Sequence, residues 1–206
     1  MMAERIYFYP AWIRVWHLFN AILIILLIIS GISMQYSDVD SPFMDFNLAV
    51  SMHNTSGILL TVSYFVFVIG NIVSKNGKYY QMKFKGLGER LWKQSRYYAF
   101  GYFKGEEAPF PVNRNRKFNP LQKVAYVFTM YLALPLLFIT GWALLFPEFI
   151  LKEVFKVSGI FLTAQLHIVM GFLVSLFLII HIYVSTMGKS PTSNFKSIAT
   201  GWQEVH

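Results

Sequence analysis

Two histidines lie within one apolar stretch that is long enough to cross a bilayer, AQLHIVMGFLVSLFLIIHIYV at residues 164–184. They are His167 and His181, fourteen residues apart. In an α-helix with 100° and 1.5 Å per residue, that spacing returns the chain to within roughly 40° of the same face and separates the two positions by about 21 Å. The stretch therefore predicts two imidazoles on one side of one helix, one near each membrane surface.

The composition indicates a membrane protein. Of the 206 residues, 55% are hydrophobic and only 14% are charged, which a soluble core of this size could not hide. The absence of cysteine excludes thiolate iron–sulfur ligation, thioether attachment of haem and cysteine nucleophiles. The net charge of +8 would suit nucleic acid, but clustered basic residues in so apolar a chain indicate membrane topology. We therefore predict a lipid bilayer and no nucleic acid as a partner.

Four stretches are long and apolar enough to span a membrane, and they predict an all-α integral membrane protein, a bundle of four transmembrane helices. The first is too long for a signal-peptide core and reads as an uncleaved helix. Pro135 lies inside the third and should kink it, because proline cannot donate a backbone hydrogen bond. The four helices belong to a single membrane domain, residues 1–206, and are expected at about 11–35, 48–73, 120–146 and 158–187.

The basic residues outside these stretches predict the orientation. Sixteen Lys and Arg lie on the side of both termini and of the loop 74–119, and the opposite side has only Lys152 and Lys156. By the positive-inside rule, the termini and the long loop lie in the cytoplasm, and the short loops 36–47 and 147–157 face outward.

Two segments outside the spans have helix-forming composition. GERLWKQSRYYAFGYF, in the long loop, is expected to form a membrane-surface helix. FPEFILKEVFKVSG is expected to form a short surface helix with Glu148 and Glu153 on its polar face. The sequence shows no internal repeat.

Four histidines fall inside the spans at two matched depths. His17 and His181 lie toward the cytoplasmic side, and His53 and His167 lie toward the outer side. Six-coordinate haem iron needs two axial donors on opposite faces of a flat macrocycle, and neutral imidazole is a suitable donor. The pattern predicts two b-type haems bound by the pairs His17/His181 and His53/His167.

Three glycines occur where such a macrocycle would need room. Gly57 and Gly171 each follow an outer histidine by four residues and share its helix face. Gly31 lies fourteen residues after His17, on the same face but at the outer level. A haem pressed against helix backbones requires small residues at these registers.

Three other residues near the helix ends suit roles at the membrane surface or at the haem edge. Arg14 precedes His17 by three residues and suits either a haem propionate or a topological anchor. Trp12 and Trp142 read as members of an interfacial aromatic belt.

Other functions are compatible with intramembrane histidines. A structural anchor without haem could use them for hydrogen bonds between helices, and a proton or metal transporter could use them as a pathway. Transport is disfavoured because no Asp, Glu, Lys or Arg lies deep in any span. No nucleophile, hydrolase or phosphate-loop pattern occurs in the sequence.

The four helices, the long cytoplasmic loop and the histidine pair of the last helix resemble the cytochrome b subunits of bacterial formate dehydrogenases, nickel–iron hydrogenases and thiosulfate reductases. This is the prokaryotic cytochrome b561-like family, and the resemblance covers nearly the whole chain. It implies the same axial pairs, His17 with His181 and His53 with His167. The tail SNFKSIATGWQEVH is also similar to the tails of these subunits.

KFNPLQKVAY, residues 117–126, resembles the family stretch of the form K-[YF]-N-x-x-Q-K that opens the third helix. In formate dehydrogenase relatives its Asn contributes to a quinone pocket, which implies that role for Asn119. This chain has Leu121 where those relatives have Gly. From the residues alone, Asn119 is an N-cap before Pro120 at the first helical position.

The resemblance also implies a function. It predicts a subunit of a respiratory complex in the inner membrane of a prokaryote, which transfers electrons across the membrane between a redox partner and the quinone pool. The partner would carry iron–sulfur clusters or another electron carrier and would dock on the outer face, and the quinone would be menaquinone or ubiquinone. A stand-alone b561-type haem oxidoreductase using quinol is the alternative within the same scaffold.

Overall fold

The computed structural model describes residues 4–38 and 43–205, so residues 39–42 of the predicted outer loop lie outside the described residues. Within the described residues the chain is mainly helical, with two short antiparallel ribbons. The helices are α1 Ala11–Tyr36, α2 Phe46–Val73, α3 Leu87–Arg96, α4 Pro120–Phe128, α5 Leu134–Leu145, α6 Gly159–Ser185 and α7 Ser193–Thr200. The strands are β1 Glu4–Tyr7, β2 Glu153–Val154, β3 Val157–Ser158 and β4 Trp202–Val205.

The prediction of four membrane-spanning helices is confirmed. Four helical segments among the described residues have the length and apolar composition to cross a membrane, and each end lies within two residues of its predicted position. Their most apolar windows have mean hydropathies between 1.8 and 2.4. The segments are Ala11–Tyr36, Phe46–Val73, Pro120–Leu145 and Gly159–Ser185.

The third span is not one regular helix. A π-helical turn, Thr129–Ala133, separates α4 from α5 and ends two residues before Pro135. Because Pro135 has no N–H for the carbonyl of Tyr131, the regular hydrogen-bond ladder cannot continue through this point. The wider turn is how the chain accommodates the irregularity expected there.

The described chain divides into two compact units. We call Val15–Ile69 with Tyr131–Leu176 the cavity unit. We call Met1–Arg14, Gly70–Met130 and Phe177–His206 the terminal unit.

In the cavity unit, polar side chains join α1 to α2 within the membrane-spanning part. Asn20 Nδ2 donates to Ser63 Oγ at 2.7 Å, and Trp16 Nε1 donates to the Ser63 carbonyl at 2.9 Å. The Trp16 ring also stacks on Phe67, with ring centroids 4.5 Å apart. Because a polar group in hydrocarbon has no water to bind, each of these bonds favours this pairing of the two helices.

The terminal unit joins the two ends of the chain, which the sequence does not predict. β1 pairs antiparallel with β4, and the N–H groups of Phe8 and Tyr9 donate to the carbonyl of Gly201. Gly201 ends α7 with a φ of 91°, and a Cβ there would lie 2.5 Å from Tyr7 Cε2. The tail SNFKSIATGWQEVH therefore has a structural role, because its glycine permits the turn that returns β4 to β1.

The two helices predicted outside the spans have different outcomes. α3 begins one residue before GERLWKQSRYYAFGYF and continues into a π-helical turn, Tyr97–Gly101, so the helix is confirmed. The helix predicted for FPEFILKEVFKVSG is wrong, because β2 and β3 form a hairpin there. The two turn residues Phe155 and Lys156 have φ of 50° and 65°, the left-handed pair that a tight hairpin turn requires and a helix excludes.

Lys117 is a buried cation in the terminal unit. Lys117 is only 4% exposed. Its Nζ donates to the Phe8 carbonyl at 2.9 Å and to Asn76 Oδ1 at 3.0 Å. The ring centroid of Tyr9 lies 4.5 Å from Nζ, within the range of a cation–π contact. Lys117 thus connects the N-terminal segment to the residues that follow α2. Burial lowers its pKa from 10.5 to about 8.

We expect the stability of the protein to rise with pH through the Lys117 titration. Between the folded pKa of about 8 and the unfolded value of 10.5, the unfolded chain binds more protons at this side chain than the folded chain does. The resulting gain begins near pH 8, reaches about 2 kcal/mol at pH 9.5 and is on the order of 3 kcal/mol above pH 10.5. Thermal unfolding in detergent at pH 7 and pH 9.5 should show the rise in the wild type and its absence in Lys117→Met. Lys104→Met, at an exposed lysine, should retain it, and a rise of equal size in Lys117→Met would contradict the assignment.

Candidate functional site

The structure brings together the two histidines predicted at the outer level. His53 lies on α2 and His167 on α6, with ring centroids 6.2 Å apart and ring planes at 64°. An iron held by two imidazole nitrogens at about 2 Å each, a usual metal–imidazole bond length, separates the ring centroids by roughly 6 Å. The separation of the two rings therefore fits one metal ion between them.

Each of these imidazoles contacts a hydroxyl group on a neighbouring helix. Ser30 Oγ on α1 lies 3.0 Å from His53 Nδ1, and Thr140 Oγ1 on α5 lies 2.8 Å from His167 Nδ1. In both cases Nδ1 is engaged, which leaves Nε2 as the nitrogen for a ligand.

A cavity of about 580 Å³ opens beside the two histidines in the cavity unit. This volume is within the range of cofactor sites, roughly 300–1,000 Å³. The walls are mainly aliphatic and aromatic side chains of α1, α2, α5 and α6. Apart from the two histidines, the lining includes Leu27, Gly31, Gly57, Leu137, Gly141, Trp142 and Gly171.

All three predicted glycines line this cavity. A Cβ at Gly171 would meet no atom within 4 Å, and one at Gly57 would meet only Leu27 Cδ2 at 3.9 Å, so both face open space. A Cβ at Gly31 would lie 3.4 Å from His53 Cε1. The first two glycines thus give the cavity its width, and the third lets the histidine ring approach α1.

Sequence reasoning missed four residues of the site. Thr140 and Ser30 contact the histidines, and a Cβ at Gly141 would lie 3.2 Å from His167 Cε1, closer than ordinary contact. Trp142, predicted for the interfacial belt, lines the cavity and donates from Nε1 to Thr61 Oγ1 at 3.3 Å. Trp12, the other tryptophan predicted for the belt, packs against Gly70, and a Cβ on that glycine would lie 2.6 Å from the Trp12 ring.

A signal for the missed residues is present in the sequence. A hydroxyl residue followed by glycine occurs in α1, as Ser30-Gly31, and again in α5, as Thr140-Gly141. The helix that follows each pair carries a histidine with a glycine four residues later. Only two or three positions in each helix take part in this correspondence, which is too few to form a recognisable internal repeat.

The two histidines predicted at the cytoplasmic level lie in different units. His181, in the terminal unit, stacks on Phe177 with ring centroids 5.5 Å apart, and its Nδ1 lies 3.5 Å from the hydroxyl oxygen of Tyr126. His17, in the cavity unit, is half-buried on α1. Their pairing stays a prediction.

Arg14 contacts the C-terminal helix of the terminal unit. Its Nη1 donates to the Ala199 carbonyl at 2.7 Å. Its Nε is buried and has no hydrogen-bond partner among the described residues. An anionic ligand would satisfy this buried donor, so the side chain fits the predicted contact with a propionate, which stays a prediction.

Asn119 is the N-cap of α4, as its sequence context predicts. Its Oδ1 accepts from the N–H of Gln122 at 2.9 Å, and the Gln122 side chain accepts from the N–H of Asn119, which completes a capping box. Its Nδ2 donates to the hydroxyl of Tyr98 at 2.7 Å. Burial raises the pKa of that tyrosine to about 12, so the hydroxyl keeps its proton at neutral pH.

The donor set of the outer site suits haem better than a bare metal ion. Among residues 4–38 and 43–205, no group of three or more His, Asp or Glu side chains converges to hold a metal. A haem supplies four nitrogen ligands of its own, so the protein needs to provide only two more. The paired histidines, the apolar cavity and its glycines fit that requirement.

Comparisons with known proteins agree on a family. The sequence model described as prokaryotic cytochrome b561 matches residues 8–201. The chain is 40% identical to the putative cytochrome YdhU of Escherichia coli K12 over 199 residues, which cover 97% of this chain and 75% of that protein. It is 27% identical to the probable Ni/Fe-hydrogenase B-type cytochrome subunit of Rhodobacter capsulatus over 146 residues, 68% of this chain and 54% of that protein. No solved structure gives a significant match.

The four apolar helices and the family match identify a multi-pass membrane cytochrome b, an electron-transport protein whose cofactor is haem b. The match extends over nearly all of the described chain and includes all four intramembrane histidines. The chain therefore belongs to the prokaryotic cytochrome b561 family.

Proposed function

We propose that the chain is a membrane-anchoring dihaem cytochrome b subunit, which transfers electrons across the membrane between a redox partner subunit and the quinone pool. The observation that carries the proposal is the pair His53 and His167, with ring centroids 6.2 Å apart beside an apolar cavity. Bound haem supplies one-electron redox chemistry, and the protein supplies ligands, orientation and a dry surrounding.

The outer haem site uses residues of the cavity unit. His53 and His167 are the axial ligands, and Gly31, Gly57 and Gly171 make room for the macrocycle. The mainly apolar lining lowers the local dielectric, which strengthens electrostatic interactions inside the site.

The second haem site, on the cytoplasmic side, uses His17 and His181 as axial ligands. The support is the family resemblance and the matched depths of these two residues in the sequence. Arg14 binds a propionate of this haem through the guanidinium nitrogens that the Ala199 carbonyl does not occupy.

The partner is a redox subunit on the outer face, with iron–sulfur clusters or another electron carrier. Support comes from the Rhodobacter capsulatus relative, whose name makes it a cytochrome subunit of a Ni/Fe-hydrogenase. We infer an inner membrane location with both termini and the loop 74–119 in the cytoplasm, from the sixteen Lys and Arg of that side.

The quinone binds beside Asn119, near the start of α4. The two hydrogen bonds of its amide, to Gln122 and Tyr98, use one of its two N–H groups and one of its two acceptor positions. The second N–H remains to bind a quinone oxygen. The capping box and the Tyr98 contact hold the amide in place for that role.

We expect Asn119→Ala to slow the reduction of the haems by quinol by up to about tenfold, with both haem spectra intact, because one hydrogen bond to the substrate is lost. Stopped-flow spectroscopy of the purified protein mixed with a soluble quinol measures this rate. Loss of the cap alone costs about 1 kcal/mol of stability. Asn119→Ser, which keeps a capping oxygen, separates the two effects: it should be stable and equally slow. Quinol kinetics equal to wild type in Asn119→Ala would remove the residue from the site.

A further inference from the structure

We propose that Ser30 and Thr140 are positioning residues that fix the tautomer and orientation of His53 and His167, so that both imidazoles present an unprotonated Nε2 to the cavity. The inference rests on the proposed haem ligation at the outer site. It concerns the protons of the two hydroxyl groups and of the two rings, and it follows from counting donors and acceptors.

The Ser30 hydroxyl has one hydrogen, and the helix backbone takes it. Oγ lies 2.6 Å from the carbonyl oxygen of Leu26 and 3.2 Å from that of Leu27, and carbonyl oxygens only accept. With its hydrogen donated, Oγ has lone pairs left for the third neighbour, His53 Nδ1 at 3.0 Å. The ring nitrogen is therefore the donor, and it carries the proton.

The same count holds on the other side of the cavity. Thr140 Oγ1 donates to the Leu136 carbonyl at 2.7 Å and lies 2.8 Å from His167 Nδ1. Ser30 is 0% exposed and Thr140 is 4% exposed, so water does not compete for these bonds. Thus α1 and α5, which differ in sequence, each place a hydroxyl oxygen that already donates its hydrogen beside the Nδ1 of a histidine.

The tautomer decides which ring nitrogen can bind a metal. A neutral imidazole has one N–H and one lone pair, and a proton held on Nδ1 leaves the lone pair on Nε2.

The glycine after each hydroxyl residue allows the histidine ring to lie close to the helix that carries the hydroxyl. A Cβ at Gly31 would come within 3.4 Å of His53 Cε1, and a Cβ at Gly141 within 3.2 Å of His167 Cε1. The two residues of each pair therefore act together. The hydroxyl accepts a hydrogen bond from the histidine ring, and the glycine lets the ring come within hydrogen-bonding distance of that hydroxyl.

Such a bond should also influence the redox potential of the outer haem. A hydrogen bond from Nδ1–H makes the imidazole a more basic ligand, and a more basic ligand favours the more positively charged, oxidised iron. Both ligands of one iron have the bond, so its removal on either side should shift the potential in the same direction, upward.

The test compares Thr140→Val, which keeps the shape and removes the hydroxyl, with Thr140→Ser, which keeps the hydroxyl. Ser175→Ala is the matched control, because its hydroxyl donates to the Gly171 carbonyl of its own helix and, within residues 4–38 and 43–205, makes no hydrogen bond to a histidine. Haem content, the midpoint potential of the outer haem and its low-spin EPR signal are measured in the purified full chain.

We expect Thr140→Val to shift the oxidised-to-reduced ratio of the outer haem by up to about tenfold, which is 59 mV for one electron, or to weaken haem retention. Thr140→Ser and Ser175→Ala should match the wild type, and the cytoplasmic haem should keep its potential in every variant. Unchanged haem content, potential and EPR signal in Thr140→Val would overturn the inference while the ligation by His53 and His167 stands. Equal effects of Val and Ser at this position would also overturn it, and retention of the outer haem in His167→Ala would instead refute the proposed ligation.

Discussion

Replacing His53 or His167 by alanine should remove the outer haem from the purified protein and leave the other haem in place. The protein binds the iron through only two imidazole ligands. Loss of one of them in an apolar cavity therefore removes a large part of the free energy of haem binding. Haem extraction should give one haem per chain in place of two, and the low-temperature difference spectrum should lose one of its two components.

The reciprocal variants provide the matched control for this result. His17→Ala and His181→Ala should each lose the cytoplasmic haem and keep the outer one. Because every variant keeps one haem, the retained spectrum also reports that the bundle has folded. Loss of both haems in equal measure from all four variants, in protein that remains folded, would contradict the pairing.

Leucine at Gly171 or Gly57 should have the second largest effect, because a bulky side chain would occupy the space of the macrocycle. A Cβ at Gly171 has no neighbour within 4 Å, and one at Gly57 has only Leu27 Cδ2 at 3.9 Å, so the side chains can enter the cavity without displacing backbone. We expect the outer haem to fall to less than about a tenth of its wild-type content, since the leucine would overpack the site against the macrocycle, and overpacking typically costs about 1–3 kcal/mol.

Two control variants separate filling of the cavity from the general effect of replacing a glycine. Gly171→Ala adds only a methyl group in open space and should retain haem. Gly88→Leu, on α3, also meets nothing within 4 Å of its Cβ but lies outside the cavity, and it should retain both haems. Full outer-haem content in Gly171→Leu would show that the cofactor does not occupy this cavity.

The spans and the outer histidines could be predicted because each depends on a local pattern. Apolar length determines each transmembrane helix, and His53 and His167 each lie near the outer end of such a helix, which sets both at one depth. The N-cap role of Asn119 is local too, since Pro120 follows it directly and Gln122 completes the capping box.

The features that escaped prediction depend on residues brought together from distant parts of the chain. Thr140 is not recognisable as a histidine partner until α5 packs beside α6, and β1 meets β4 only through folding of nearly the whole chain. The sequence does not predict the hairpin at Phe155 and Lys156, because neither residue type ordinarily adopts a positive φ and no glycine or asparagine marks the turn.

The KFN stretch shows how one motif can serve structure and function together. Lys117 joins the N-terminal segment to the residues after α2, Phe118 packs its ring against Tyr126, and Asn119 caps α4. These roles would fix the position of the Asn119 amide whether or not a quinone binds there. The quinol kinetics of the Asn119 variants therefore test a role that the architecture alone does not require.

Haem content per chain is the measurement that tests the central claim most directly. The protein, expressed with ample haem supply and purified in detergent, is analysed by haem extraction against protein concentration and by reduced-minus-oxidised spectroscopy. The account predicts two b-type haems per chain with bis-imidazole, low-spin spectra. Folded protein without haem would contradict it and would leave a structural membrane anchor, whose histidines only hydrogen-bond to Ser30 and Thr140, as the better description.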